Sequence, residues 1–142
     1  MKNMSLTQAA RTGTMKSGVS SATKAGLCLH ADGTNTLEVC AQGDVVLAVT
    51  ADEQERDASG LVAGGNVSYH TLGGVLMLRS KASQTYTVGL AVYADTAGLV
   101  TDSDDKSGTG SKQVGIFVGA TGITTGTTED LIPVDTSFAA KA

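Results

Sequence analysis

In NVSYHTLGGVLMLR (66–79), Val67 and Tyr69 fall on one face of an extended chain, and Val75, Met77 and Arg79 on one face of a second. Gly73 and Gly74 lie between the two runs and supply the positive φ angles that a tight turn demands. The segment therefore reads as a β-hairpin. Downstream, YTVGLAVYAD (86–95) is a further strand. DTAG (95–98) begins with Asp and ends with Gly, as a type I turn does, and leads into LVT (99–101). QVGIFVG (113–119) alternates Val114, Ile116 and Val118 against Gly115, Phe117 and Gly119. TGITTGTT (121–128) is turn-rich, and DLIPVD (130–135) is a last strand. Pro133 cannot donate to a ladder, which places that strand at an edge or ends it there. Upstream, LEVCA (37–41) and DVVLAVT (44–50) are strand-like runs separated by Gly43. The sum is an all-β chain, a small barrel or sandwich of about seven short strands with little helix. ADEQERDASG (51–60) and DSDDKSGTGSK (102–112) lack an apolar period and read as solvated loops.

The chain has 142 residues, with 18 Gly, no Trp, two Phe and three Tyr. It has the length of one domain, but the aromatic side chains that bury most surface per residue are scarce. Some stability is therefore expected from partners, either copies of itself or a larger surface. Tyr69, Tyr86, Tyr93 and Phe117 all lie in expected strands and are the candidates for core or trimer-interface positions.

Charge divides the chain. Up to Ala31 it carries Lys2, Arg11, Lys16 and Lys24 and no acidic residue, whereas the remainder holds all 14 Asp and Glu. Residues 1–31 read as a flexible basic arm and 32–142 as the β domain. A helical start at Ser5 is stopped early by Gly13 and Gly18, so residues 1–24 are expected to be extended or disordered until a partner orders them. Ser5, Leu6, Arg11, Lys16, Val19 and Lys24 are the candidate contacts of that arm. Four cations without an aromatic neighbour make a poor nucleic-acid signature, and the acidic body repels phosphate. No apolar run approaches the roughly 20 residues that span a bilayer, and no apolar stretch follows Lys2. A protein with an acidic surface is the expected partner.

Catalytic and metal patterns are missing. There is no GxSxG and no phosphate loop ending in Lys-Ser or Lys-Thr, and GLVAGG (60–65) precedes a strand rather than a helix. His30 and His70 stand outside any triad-like motif. Cys28, His30, Cys40 and His70 show neither CxxC nor HxxxH spacing, so the cysteines read as small buried hydrophobes and no metal is expected. Asp102, Asp104 and Asp105 begin no calcium loop, because Ser107 and Gln113 stand at its sixth and twelfth positions. No enzyme activity and no cofactor are expected.

Three stretches carry a likeness: GLVAGGNVSYHTLGGVLMLRS (60–80), VGLAVYADTAGLVTD (88–102) and KQVGIFVGAT (112–121). Their sequence of glycine turns, alternating strands and a Val-Tyr step resembles the head decoration (capsid cement) proteins of tailed bacteriophages. Leu90-Ala91 stands where that family often has Gly-Asp. The resemblance implies a β-barrel homotrimer, synthesised in the bacterial cytoplasm and bound outside the icosahedral head. It further implies attachment at three-fold or quasi-three-fold positions, an arm ordered on the major capsid protein, and a shell reinforced against packaged DNA. The alternative reading is a non-catalytic binding module of a phage tail or fibre, recognising a receptor or glycan.

Overall fold

The structure is a computed structural model that describes residues 11–14, 25–51, 66–103, 112–127 and 129–140. In chain order its strands are β1 (Arg11–Thr14), β2 (Cys28–Ala31), β3 (Leu37–Val39), β4 (Ala48–Thr50), β5 (Asn66–Thr71), β6 (Val75–Ser80), β7 (Thr85–Tyr86), β8 (Ala91–Ala94), β9 (Val100–Thr101), β10 (Gln113–Phe117), β11 (Ile123–Thr124) and β12 (Asp130–Asp135). Among the described residues the only helical pieces are 3-10 turns at Thr96–Gly98 and Thr136–Phe138. The fold is all-β. One sheet has the order β1-β5-β4-β2-β3, β10-β12-β6-β9-β8 close into a barrel, and β11 pairs with β7.

The strands outnumber the roughly seven that turn spacing implies. One reason is that 86–95 is two strands: Gly89 takes φ 85°, Leu90 N donates to the Thr87 carbonyl, and the break leaves Tyr86 in β7 and Val92 in β8. Another is that β1, β2 and β11 come from segments whose Ser, Thr and Gly content reads as arm or turn.

Residues 66–79 do not form a hairpin. β5 pairs with β1 and β4, whereas β6 pairs with β12 and β9. Gly73 (φ 139°) and Gly74 (φ 69°) hand the chain from the sheet to the barrel instead. The backbone groups that would otherwise have closed a hairpin are taken by Thr136 and Ser137. Gly73 N donates to Thr136 Oγ1 at 2.8 Å and Gly74 N to Ser137 Oγ at 3.0 Å. Thr136 N and Oγ1 both donate to the Gly74 carbonyl, each at 2.9 Å.

The alternation expected of 113–119 also breaks. The β10–β8 register slips between Gln113 and Gly115, so Val114 is an extra residue in the ladder. The slip inverts the side-chain phase, and Val114 and Phe117, three residues apart, both enter the core. β12 is not an edge strand, since it lies between β6 and β10. Pro133 is tolerated because its carbonyl accepts from Val118 N, which puts the ring nitrogen on the β10 flank just past the last ladder pair, Phe117 with Val134. At 95–98 the turn is not type I, because Ala97 (φ 59°) and Gly98 (φ 72°) are both left-handed.

Two cores result. The larger fills the barrel with Leu78, Val92, Val114, Phe117, Ile132 and Val134, and takes Cys28, Cys40 and Val49 from the inner face of the sheet. The smaller lies on the other face of the sheet, among Leu29, Leu37, Ala48 and Val67, with Val39 and Tyr69 against it. β2 and β4 are thus covered on both sides, which corrects the arm boundary drawn at Ala31. Cys28 and Leu29 are completely buried, Gly26 N donates to the Thr50 carbonyl, and the folded body reaches back to Ala25. Residues 11–14 also pair with it, Arg11 opposite Tyr69 and Thr14 opposite Asn66. A Cβ at Gly13 would lie 2.9 Å from Leu37 Cδ1, so the sheet curls until its first strand nears its last.

Candidate functional site

Among the described residues, apolar side chains left at the surface and two clefts are the features that could form a site. β6 turns Val75 and Met77 outward, and β12 brings Leu131 and Pro133 beside them, Pro133 directly opposite Met77. Val75, Met77 and Leu131 are 58%, 49% and 41% exposed. The patch borders a cleft of about 330 Å³ that separates the barrel wall from the sheet and that His70 also lines. Residues 25 and 26 close its floor: Arg79 N donates to the Gly26 carbonyl at 2.8 Å and Arg79 Nε to the Ala25 carbonyl at 2.9 Å. On β11 and in the segment between β7 and β8, Ile123, Val88 and Leu90 are also exposed.

A larger cleft, about 800 Å³, opens at the end of the sheet. Its bed is a row across three strands: the β2–β4 and β4–β5 registers, carried one residue past Ala48, set His30, Leu47 and Leu72 side by side. Val45 extends the row, and Ala139 and Ala140, after the Thr136–Phe138 turn, form the facing wall. His30 Nε2, in the lining, stands 3.3 Å from Asp44 Oδ2 and 3.8 Å from Glu38 Oε2, while Thr71, Thr136 and Ser137 add hydroxyls to a cleft that is otherwise mostly apolar.

The residues singled out in the sequence fall into different places. Tyr86 and Phe117 are buried in the barrel, ring centroids 5.7 Å apart. The Tyr86 hydroxyl lies 2.6 Å from Ser80 Oγ and donates to the Val100 carbonyl at 3.1 Å. Tyr69 is half-buried over the smaller core, and Tyr93 is half-buried on β8 opposite Thr101. Arg11 is exposed on β1. Ser5, Leu6, Lys16, Val19 and Lys24 lie outside the described residues, as do most of the loops expected at 51–60 and 102–112. His30 and His70 sit on β2 and β5 and line different clefts. Among the described residues no group of three or more His, Cys, Asp or Glu could hold a metal ion. Sequence reading missed Gln84 and Thr125. Thr101 Oγ1 donates to Gln84 Oε1 at 2.6 Å, and Thr125 Oγ1 accepts from Gln84 N at 2.8 Å, tying β9 and the β11 segment together. Nothing in a Ser/Thr/Gln-rich stretch marks such partners beforehand.

Cys28 and Cys40 are free thiols, and the ladder register after Leu29–Val39 brings them opposite one another, with Cys40 N donating to the Cys28 carbonyl. Burial pushes the Cys28 thiol up to about 12 from its ordinary 9.0. Burial also raises Cys40, helped by Cys28 and the Asp44 carboxylate nearby. Burial likewise lifts Tyr86 to about 12, against the opposing hydrogen bond from Ser80. All three groups hold their protons more tightly folded than unfolded. Stability is therefore complete below about pH 9 and falls as pH rises toward 12, by about 1.4 kcal/mol per pH unit for each thiol that ionises only on unfolding. Urea titrations at pH 8 and pH 10.5 should show the lower midpoint at pH 10.5. In native protein at pH 8 neither thiol should react with a disulfide reagent, and both should react in denaturant.

No model of a known protein family matches this chain, and no curated protein matches it either.

Proposed function

We propose that the chain is a non-enzymatic structural protein that binds the outer surface of an icosahedral phage head as a homotrimer and stabilises the shell against internal DNA pressure. The observation that carries this reading is the division of charge together with the placing of residues 11–14. A leader with four cations and no acidic group precedes an acidic β body, and part of that leader adds to the body as an edge strand. A chain that pairs this way uses backbone hydrogen bonds alone, which suits a Ser/Thr/Ala-rich segment meeting a shell protein. The barrel wall at Val75, Met77 and Leu131 supplies an apolar surface of the kind that self-association covers. Three tethered leaders would raise weak single contacts by about 10²–10⁴ through effective concentration. The partners are then the major capsid protein and two further copies, with neither nucleic acid nor membrane involved, no cofactor needed, and the site of action the outside of the virion head.

The test is co-sedimentation of the purified protein with heads that lack it, combined with light scattering for the mass in solution. Full-length protein should pellet with heads and scatter as three chains. The charge reversal Lys16→Glu with Lys24→Glu leaves β1 in place and should cut binding at least tenfold. Heads that pellet without the protein would overturn the proposal, and equal binding by the reversed variant would remove the leader from it.

A further inference from the structure

We propose that the outer face of the β6–β12 ladder is the contact between copies of this chain, joined head to tail so that Arg79 of one copy meets Asp135 of the next. The face follows from the register. Val75, Met77 and Arg79 stand opposite Asp135, Pro133 and Leu131. Their neighbours Leu78 and Ser80 on β6, and Ile132 and Val134 on β12, are buried, so these six side chains point away from the barrel core. Met77 and Pro133 form the centre, and Val75 and Leu131 extend it along one diagonal. Arg79 and Asp135 take the ends of the other diagonal, four ladder steps apart, or about 13 Å. The face thus has an apolar middle, a cation at one end and an anion at the other.

That arrangement is complementary to itself. Like end on like end sets Arg79 against Arg79 and is repulsive, whereas the Asp135 end of one copy on the Arg79 end of the next is attractive. An apolar centre with charge at its rim is also the ordinary anatomy of a protein contact. Both charged side chains are already held in direction. Arg79 Nε donates to the Ala25 carbonyl at 2.9 Å, and Asp135 Oδ1 accepts from Ser137 N at 3.0 Å. Pairing across the contact therefore costs little further side-chain freedom. The 330 Å³ cleft beside Met77 and Leu131 gives room for an apolar side chain of the next copy. A two-fold pair and a head-to-tail ring both bring Arg79 to Asp135. The homotrimer of the reading above, on which the arrangement rests, selects the ring, because a two-fold contact is complete at two chains.

Light scattering on the full-length protein without heads, over a range of concentrations, tests the contact. The unmodified chain should have the mass of three copies. Arg79→Glu and Asp135→Arg should each raise the dissociation constant at least about tenfold, as should Met77→Glu at a half-exposed position. The double variant Arg79→Glu with Asp135→Arg should return to within about threefold of the unmodified chain. It lacks the internal hydrogen bonds that each single variant loses, so its recovery cannot come from a repaired fold. An equimolar mixture of the two single variants tests the ring. Any three of these chains in a ring leave at least one like-charged contact, whereas a two-fold pair of unlike variants has none, so the mixture should stay dissociated. A monomeric unmodified chain, or a double variant no better than the single ones, would overturn the contact. A mixture that recovers as pairs would overturn the head-to-tail arrangement and the homotrimer with it. Trimers that respond as expected but do not pellet with heads would leave the contact standing and overturn the shell reading alone.

Discussion

Gly98→Val is expected to destabilise the protein by about 2–5 kcal/mol, because the substitution strikes the seam where barrel and sheet meet. Gly98 has φ 72° in the turn between β8 and β9, and its N–H donates to the Cys40 carbonyl at 2.9 Å. A Cβ there would lie 2.7 Å from Val39 Cγ1, 3.0 Å from the Cys28 carbonyl oxygen and 3.2 Å from Leu27 Cβ. Val39 could rotate, but the Cys28 carbonyl cannot, since it is fixed by the hydrogen bond from Cys40 N. The left-handed conformation costs a branched residue about 1–2 kcal/mol and the overlap about 1–3 kcal/mol more. For a chain of this length that lowers the melting temperature on the order of 10 °C. Gly33→Val separates the two terms. Gly33 has φ 92° but nothing within 4 Å of its Cβ position, so it should show the conformational cost alone. Equal losses at the two sites would mean that the seam contributes nothing.

Phe117→Ala should cost a comparable amount, about 3–5 kcal/mol. The ring is 1% exposed, lies against Tyr86, and folds over Gly119, where a Cβ would overlap Phe117 Cζ. The neighbouring Tyr86 ring is held by the contacts of its hydroxyl with Ser80 Oγ and the Val100 carbonyl, so it does not turn to fill the void. Phe117→Leu keeps most of the volume and should lose no more than about 1.5 kcal/mol. Urea midpoints of the three proteins measure both effects. A Phe117→Ala loss under about 1 kcal/mol would show that the barrel collapses around the gap and that this ring does not set its packing.

How much of this was legible beforehand depends on the range of the interaction. That Tyr86 and Phe117 lie in strands could be read from the runs around them, but not that these two are buried while Tyr69 and Tyr93 are half-buried. The location of Gly73-Gly74 in a turn could be read from two adjacent residues that tolerate positive φ. The partner across that turn could not, because Thr136 and Ser137, 63 residues away, claim the backbone groups of the two glycines. Likewise VLMLRS (75–80) is apolar at neighbouring positions, so periodicity alone does not say that Val75 and Met77 face outward while Leu78 is buried. The 800 Å³ cleft was illegible for the same reason, since its bed comes from three strands and its facing wall from the far end of the chain.

By itself the sequence determined an all-β chain of short strands, a small core and a split of charge along the chain. These follow from local terms: side-chain branching, backbone freedom at glycine, and the count of ionisable groups. The tertiary structure alone decided which strands pair, that residues 66–79 divide between two layers, that Val114 slips the β10 ladder, and that residues 25–31 belong to the body. The physical reason is that a strand's ladder groups are alike in every sequence. Its choice of partner rests on distant side chains that fill one core together, and no window of neighbouring residues contains that sum.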